Sequence, residues 1–516
     1  MKLLLAFAAS MLATLPAAQA RAGEVADLYR THCAACHGAD RLGGSGPALL
    51  PENLARLKRS DALATIRSGR AATRMPAFGK LLSERDLAAL AEWIQTPVSP
   101  APRWRELDIR ASRIEYHAPG SLPAKPVFDA DPMNLFVVVE SGDHHVSILD
   151  GDRMERIHRF PSRFALHGGP KFSPDGRYVY FASRDGWITK YDLWNLKTVA
   201  EVRAGINTRN AAVSADGRLV AVANYLPKTL VLLDAELRLV KLFDVADQAG
   251  EHASRVSAVY DASPRRSFVA ALKDVPEIWE ISYDDKAAPI YEGYVHDYKM
   301  GEGIATPGFL NPRRTRLDAP LDDFYFSQNY ANVMGASREG RGQVVNLDVR
   351  RAIAELDIPG MPHLGSGITW DYRGHRVMGS PNLREGVVSI IDMADWRTIR
   401  RIPTLGPGFF LRSHEHARYA FVDSMMSPTG RDTLQVIDKQ SLEVVARLRP
   451  EPGKTLAHVE FDRDGRYLIA SLLEQDGALI YIDADTLKEI KRLPAARPVG
   501  KYNVYNKIHK SEGTSH

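Results

Sequence analysis

Lys171-Phe172-Ser173-Pro174-Asp175-Gly176-Arg177-Tyr178-Val179-Tyr180-Phe181-Ala182-Ser183 reads as two strands around a tight turn. The Asp-Gly pair supplies the turn, and the aromatic and β-branched run after it supplies a strand. The phrase returns as Ala212-Val213-Ser214-Ala215-Asp216-Gly217-Arg218-Leu219-Val220-Ala221-Val222, and again from Val459 through Asp464-Gly465 to Ile469. Weaker copies begin near Phe128, Val259, Asp318, Thr369 and Leu411. Each is followed by a strand ending in aspartate or a close equivalent, such as Ile148-Leu149-Asp150, Lys190-Tyr191-Asp192, Leu232-Leu233-Asp234 and Tyr481-Ile482-Asp483. Eight copies at a spacing of roughly forty to sixty residues predict eight four-stranded blades around an axis. A unit of this kind cannot bury its faces alone, and radial closure buries them. The expected architecture is mostly β, an eight-bladed β-propeller over residues 113–516.

The phase of the repeat sorts residues by face. The Asp-Gly turn lies at one end of each inner strand. The residues before that strand, and the loop after the second strand, surround the mouth of the axis at the other end. This phase places His167, Arg184, Arg209, Tyr225, Arg255, Lys273, Gln328, His363, Asn382 and His458 at the mouth. It places His414 and His416 on the opposite rim, as polar turn residues. Histidines set among arginines and a lysine suit a large, flat, polycarboxylated ligand with a metal at its centre. Arginine grips carboxylate with a bidentate fork, and neutral imidazole is a good iron ligand. A solvated polar rim on a protein-docking propeller is the competing reading.

The N-terminal part has a different period and a different chemistry. Thr31-His32-Cys33-Ala34-Ala35-Cys36-His37-Gly38 contains a C-x-x-C-H run, the attachment signature of a c-type haem. Cys33 and Cys36 are the only cysteines among 516 residues. His37 is placed to ligate the iron, and Met75, in Arg74-Met75-Pro76, supplies a sixth ligand. A thioether opposite histidine raises the reduction potential and suits electron transfer. A structural disulfide or a redox C-x-x-C would not call for the adjacent His37 or for Met75. Val25, Leu28 and Tyr29, then Leu54, Leu57, Leu63 and Ile66, recur at helical spacing. Ser83 with Asp86 predicts a capped helix over Glu84 to Ile94. Pro97, Pro100 and Pro102 open an expected linker over 98–112. Residues 21–97 resemble a small all-α class I cytochrome c domain.

Lys2, the apolar stretch Leu3 to Leu15 and Ala18-Gln19-Ala20 predict an export leader over 1–20, hence a periplasmic protein. No later segment approaches the ~20 apolar residues needed to span a bilayer. A net charge of +4, with 25% charged residues spread along the chain, gives no basic run that would suggest nucleic acid.

A cytochrome c domain followed by an eight-bladed propeller resembles the cytochrome cd1 nitrite reductases and their relatives in haem d1 biosynthesis. The likeness covers nearly the whole chain. It is sharpest at Phe164-Ala165-Leu166-His167, Arg184-Asp185-Gly186, Tyr191-Asp192-Leu193-Trp194, Met361-Pro362-His363 and Gly500-Lys501-Tyr502-Asn503-Val504-Tyr505-Asn506. The resemblance implies that His167 is the proximal ligand of a d1-type haem and that His363 is one of two distal histidines. Where the reductases carry the second, this chain is expected to offer Asn311, in Phe309-Leu310-Asn311-Pro312. His458 and Tyr502 stand where the reductases have neither.

Loss of a distal histidine, with new proton-transfer groups gained, favours the branch that converts a propionate of dihydro-haem d1 to an acrylate. On that reading His167 holds the substrate iron, and Arg184, Arg209, Tyr225 and Lys273 hold its periphery. His458, with Tyr502, takes protons, His363 orients the substrate, and haem c takes electrons. A soluble periplasmic electron acceptor and a nitrite reductase that receives haem d1 are the implied partners. Nitrite reduction, a haem d1 carrier and a protein-docking propeller remain as alternatives.

Overall fold

The computed structural model describes residues 14–44, 46–55, 57–69, 75–291 and 305–514. The expected leader therefore falls largely outside the described residues, as does Arg74. The chain divides into two compact units, Met1–Trp104 and Arg105–His516.

The first unit is helical: Thr14–His32, Ala34–His37, Pro51–Leu54, Arg59–Ser68 and Glu84–Trp93. Val25, Tyr29, Leu54, Ile66, Leu87 and Leu90, predicted from their spacing or from the last helix, share one core. Ser83 caps the last helix, its Oγ accepting from Asp86 N at 3.2 Å, so the cap read from sequence forms. Tyr29 is fully buried in that core and donates from Oη to Gly38 O at 2.7 Å. That bond ties the first helix to the turn after the C-x-x-C-H run.

The second unit holds eight antiparallel sheets of the propeller. Blade one is closed by both ends of the unit. Its inner strand is the C-terminal Pro498–Asn503, hydrogen-bonded to Leu135–Glu140, with His145–Asp150 and Glu155–Pro161 outside. Blade two runs from Lys171–Phe172 to Lys197–Arg203, with Ile114–Glu115 added at its outer edge. The inner strands of blades three to eight are Asn207–Val213, Val256–Ala262, Asp323–Phe326, Ile368–Tyr372, Leu411–Arg412 and Leu456–Phe461. Strands buried on both faces suit Val, Ile, Leu and Ala, and clusters such as Val256, Phe268, Trp279 and Leu230 fill the wedges between blades.

The expected linker over 98–112 is shorter than its prolines suggest. Glu106–Ser112 is a helix of the propeller unit, with Ile109 fully buried. Arg105, at its start, pairs with Asp244 of blade three at 2.8 Å.

After the closing strand the chain forms a helix, Val504–His509, capped by Asn503. Val504 and Ile508 pack with Leu135, Phe181 and Phe172. The residues that follow span the turn end of the axis. Lys510 Nζ donates to Ser263 of blade four at 2.6 Å, Thr369 of blade six donates to Glu512 at 2.9 Å, and Ser413 N of blade seven donates to Gly513 O at 2.8 Å.

Candidate active site

The C-x-x-C-H run forms a short helix, Ala34–His37, with Cys33 at its N-cap. Both thiols are free. Burial, helped by Cys36, pushes the Cys33 thiol up to about 11. A redox C-x-x-C needs the reverse, a lowered thiol. His37 is buried, and its Nδ1 lies 2.8 Å from Pro47 O. Donation there fixes the tautomer and leaves the Nε2 lone pair for a metal. Gly46 lies over the ring, where a Cβ would come within 2.8 Å of His37 Cε1. Met75 packs on the same core as Tyr29 and Leu90. Two free thiols, an oriented imidazole and a thioether on one core fit a covalent haem c.

At the mouth of the propeller, side-chain contacts link residues from most of the blades into a ring around the axis. His167 Nδ1 donates to Arg209 O at 2.7 Å, and Arg184 Nη2 donates to His167 Nε2 at 2.8 Å. The Arg209 guanidinium also lies against the ring, 3.0 Å from Nδ1. Arg209 faces Asp323 at 3.7 Å, and Asp323 lies 4.0 Å from His363 Nε2. Tyr260 Oη donates to the same carboxylate at 2.8 Å. From His363 the ring continues through aromatic edges. His363 meets Phe409 at 4.3 Å between centroids, Phe409 meets Phe410 at 4.8 Å, Phe410 meets His458 at 4.5 Å, and His458 meets Tyr502 at 5.6 Å. Tyr502 closes on Gly169, two residues after His167, where an added Cβ would meet its ring at 3.1 Å.

His458 and Tyr502, distant in sequence, meet because they sit on the inner strands of neighbouring blades eight and one. His458 is 2% exposed and sits in the left-handed region, φ +46°. It is the extra residue of a bulge, since the pairing skips from Ala457↔Ser471 to Val459↔Ala470. A bulge re-aims one side chain, and a non-glycine residue at positive φ carries strain that persists only where packing imposes it. Burial, with Lys501, Arg412 and Lys507, drives the His458 pKa well below its usual value, so the imidazole is neutral. Burial pushes Tyr502 up to about 12, with Arg412 opposing, so its phenol keeps its proton. Burial also lowers His363, against the pull of Asp323. For Arg209 burial acts to lower the pKa, but Asp323, Tyr225, Tyr260 and Asp322 together outweigh it and the guanidinium stays charged.

A second group extends the mouth over blades two to five. The cations of Arg184, Arg255 and Lys273 lie 5.9, 5.4 and 5.5 Å from the Tyr225 ring centroid. Two of these cations are paired: Arg255 with Asp274 at 2.6 Å, and Lys273 with Asp322. Asn382 is at this end too, but it holds backbone, its Nδ2 donating to Pro359 O at 2.6 Å and its Oδ1 accepting from Arg384 and Glu385.

Two expectations fail. Gln328 lies at the turn end: Ser327 Oγ bonds Asn329 Oδ1 as Ser173 Oγ bonds Asp175 Oδ1, so 327–330 is blade five's copy of the Asp-Gly turn. Asn311 does not stand in for a distal histidine. It precedes Pro312–Arg316, the outermost strand of blade four, which runs from the turn end toward the mouth. There it accepts from Lys241 Nζ at 2.7 Å, away from the axis. His414 and His416 are on the opposite rim as expected, although His414 is fully buried.

Sequence reading also missed Asp323 and Asp423. Asp423 ends the second strand of blade seven and accepts from Phe409 N at 2.8 Å and Phe410 N at 3.2 Å, which sets the two rings between the histidines. The strand-end position of both aspartates was the available signal.

The family described as Cytochrome D1 heme domain matches residues 130–507, and one described as cytochrome C oxidase, cbb3-type, subunit III, matches residues 20–94. The chain is 54% identical to a dihydro-heme d1 dehydrogenase of Pseudomonas aeruginosa, over 98% of this chain and 99% of that protein. It is 24% identical to a nitrite reductase of Stutzerimonas stutzeri, over 93% of this chain and 92% of that one. A solved structure described as dihydro-heme d1 dehydrogenase NirN in complex with DHE superimposes with a TM-score of 0.87 at 54% identity, covering 93% of this chain and 99% of that chain. With the match over the propeller and the haem-attachment unit ahead of it, this chain belongs to the cytochrome D1 haem domain family.

Proposed function

We propose that the protein oxidises a propionate side chain of dihydro-haem d1 to an acrylate in the periplasm and passes the electrons to a soluble acceptor. The observation that carries this reading is the bulged, neutral His458 held between Phe410 and Tyr502 on the same ring as His167. The likeness to a dihydro-heme d1 dehydrogenase along nearly the full chain supports it. Haem c, held by Cys33, Cys36, His37 and Met75, supplies a one-electron oxidant when bound.

The chain's own residues divide the remaining work. His167 presents Nε2 toward the axis, and Arg184 now occupies that lone pair. A substrate iron taking the same lone pair displaces Arg184 and leaves its fork for a carboxylate. Arg209 and the cations around Tyr225 hold the other carboxylates. His458, neutral because it is buried and lies beside Lys501, Arg412 and Lys507, accepts a proton from the side chain being desaturated. Tyr502 keeps its proton, so it orients the substrate by donating rather than by acting as a base. His363, with Asp323 at 4.0 Å, guards the opposite side of the mouth. A reductase needs a second proton donor beside His363; an aspartate stands there instead, which favours oxidation of the macrocycle over reduction of nitrite. Release of the product to a nitrite reductase would complete the route.

Incubating the haem c-loaded protein with dihydro-haem d1 and weighing the extracted pigment tests the reading. Loss of two hydrogens is the expected result. Tight binding with unchanged mass would make the protein a carrier.

A further inference from the structure

His458 Nδ1, Glu460 Oε2, Asn506 Oδ1 and His414 Nε2 are buried without a hydrogen-bond partner in the protein. Such atoms are few in a folded chain, and water ordinarily satisfies them. These four form a row between the two ends of the axis. His458 and Glu460 are on the inner strand of blade eight, Glu460 two residues nearer the turn end. Asn506, on the C-terminal helix, donates from Nδ2 to Glu460 Oε1 at 3.5 Å and to Phe461 O at 3.0 Å. Its side chain lies beside His414 and favours the protonated imidazole there, against the burial that lowers it. The His414 ring lies 5.1 Å from His416. His416 lines an open surface cleft with Asp131, Glu415, Arg463 and Asp464.

Lys507, Arg412 and Lys501 face Glu460 together with Asn506. Burial raises the Glu460 carboxyl above the usual carboxylate range, against the pull of Lys507, Arg412 and Lys501. Lys507 also lies over Tyr502, 5.2 Å from its ring centroid. A flat macrocycle on the mouth would cover the direct route from His458 to solvent, and the row leads the other way.

We propose that Glu460, Asn506 and His414, linked by water, carry the protons taken by His458 along the propeller axis to His416 and solvent at the turn end. This rests on the dehydrogenase reading. There the side chain R–CH2–CH2–COO⁻ becomes R–CH=CH–COO⁻, both carbon–hydrogen bonds breaking to release two protons and two electrons. The electrons leave one at a time through the chain's single haem c, which the soluble acceptor reoxidises between them, and each proton passes from His458 through Glu460 before the next is taken. Glu460 is a relay residue and touches no substrate.

The test uses Glu460→Gln, Glu460→Asp and His414→Phe in the haem c-loaded protein. In the substrate-free wild type, infrared titration is expected to show a carboxyl protonating above the usual carboxylate range, and Glu460→Gln is expected to remove that signal. Substrate binding by absorbance and KM stay unchanged, kcat falls roughly tenfold or more in Glu460→Gln and in His414→Phe, and Glu460→Asp restores part of it. A wild-type kcat and pH profile in both Glu460→Gln and His414→Phe would overturn the relay alone, and so would an infrared signal that persists in Glu460→Gln. A wild type that leaves the pigment mass unchanged would overturn the dehydrogenase reading and the relay with it. If Glu460→Gln does not fold, His414→Phe decides by the same kcat-against-KM split.

Discussion

The two ends of the propeller axis are built from the same strands and obey different rules. At the turn end, bonds repeat from blade to blade. Ser173 pairs with Asp175, Ser214 with Asp216 and Ser327 with Asn329, and Asp438 and Asp483 each accept from the backbone two and three residues on. At the mouth a bulge recurs, skipping Ser257 in blade four as it skips His458 in blade eight, but the side chains follow no common pattern. His167 leans on two arginines, His363 on an aspartate and a phenylalanine, and His458 sits in a left-handed bulge with Nδ1 unpaired. Repetition marks the groups that hold the fold, and departure from it marks the groups available for chemistry.

The contrast breaks most visibly at His458. His458→Ala is expected to lower kcat by about a hundredfold or more while binding, followed by absorbance, persists. Unchanged turnover would remove the mouth's claim to chemistry. Arg184→Gln is expected to weaken substrate binding about tenfold or more with kcat little changed, because a charge-assisted bond contributes roughly 1.5–3 kcal/mol. A spectroscopic titration checks it. At the turn end the effects exchange places. Asp462, fully buried, accepts from Arg466 N at 2.6 Å, Tyr467 N at 3.2 Å and Arg466 Nε at 2.9 Å. Asp462→Ala is expected to cost about 2–3 kcal/mol by denaturant unfolding and to leave substrate binding as it was.

A smaller effect separates the ends by pH. His458 and His363 have pKa values depressed in the folded state. Below the unfolded histidine value of about 6.5 the unfolded chain takes up protons that the native one refuses. The stability they contribute is present above that pH and is lost as pH falls, at up to about 1.4 kcal/mol per pH unit for each histidine. His458→Gln is expected to flatten that slope in unfolding curves taken below pH 6.5.

The fold was legible because strong copies of the repeat carry a glycine at the turn, as at Gly176, φ +71°. Blade five hid its phase. Tyr330, φ +56°, takes the glycine's place and Asn329 the aspartate's, so the local pattern puts Gln328 at the wrong end and gives no sign of Asp323. The long connection after Tyr283 concealed that the Asn311 strand is the outermost of its blade. His167, Arg184, Arg209, His363 and His458 were legible from phase alone. The bulge at His458, the aromatic wedge set by Asp423 and the row of unpaired atoms depend on register and packing, which no local pattern encodes.

The most direct test of the account is an anaerobic turnover with the haem c-loaded protein in excess over dihydro-haem d1, following haem c by absorbance and the pigment by mass together. Two ferric haem c reduced for each pigment that loses two hydrogens is the result the account requires. Desaturation with haem c remaining oxidised, or reduction of haem c with the pigment unchanged, would contradict it.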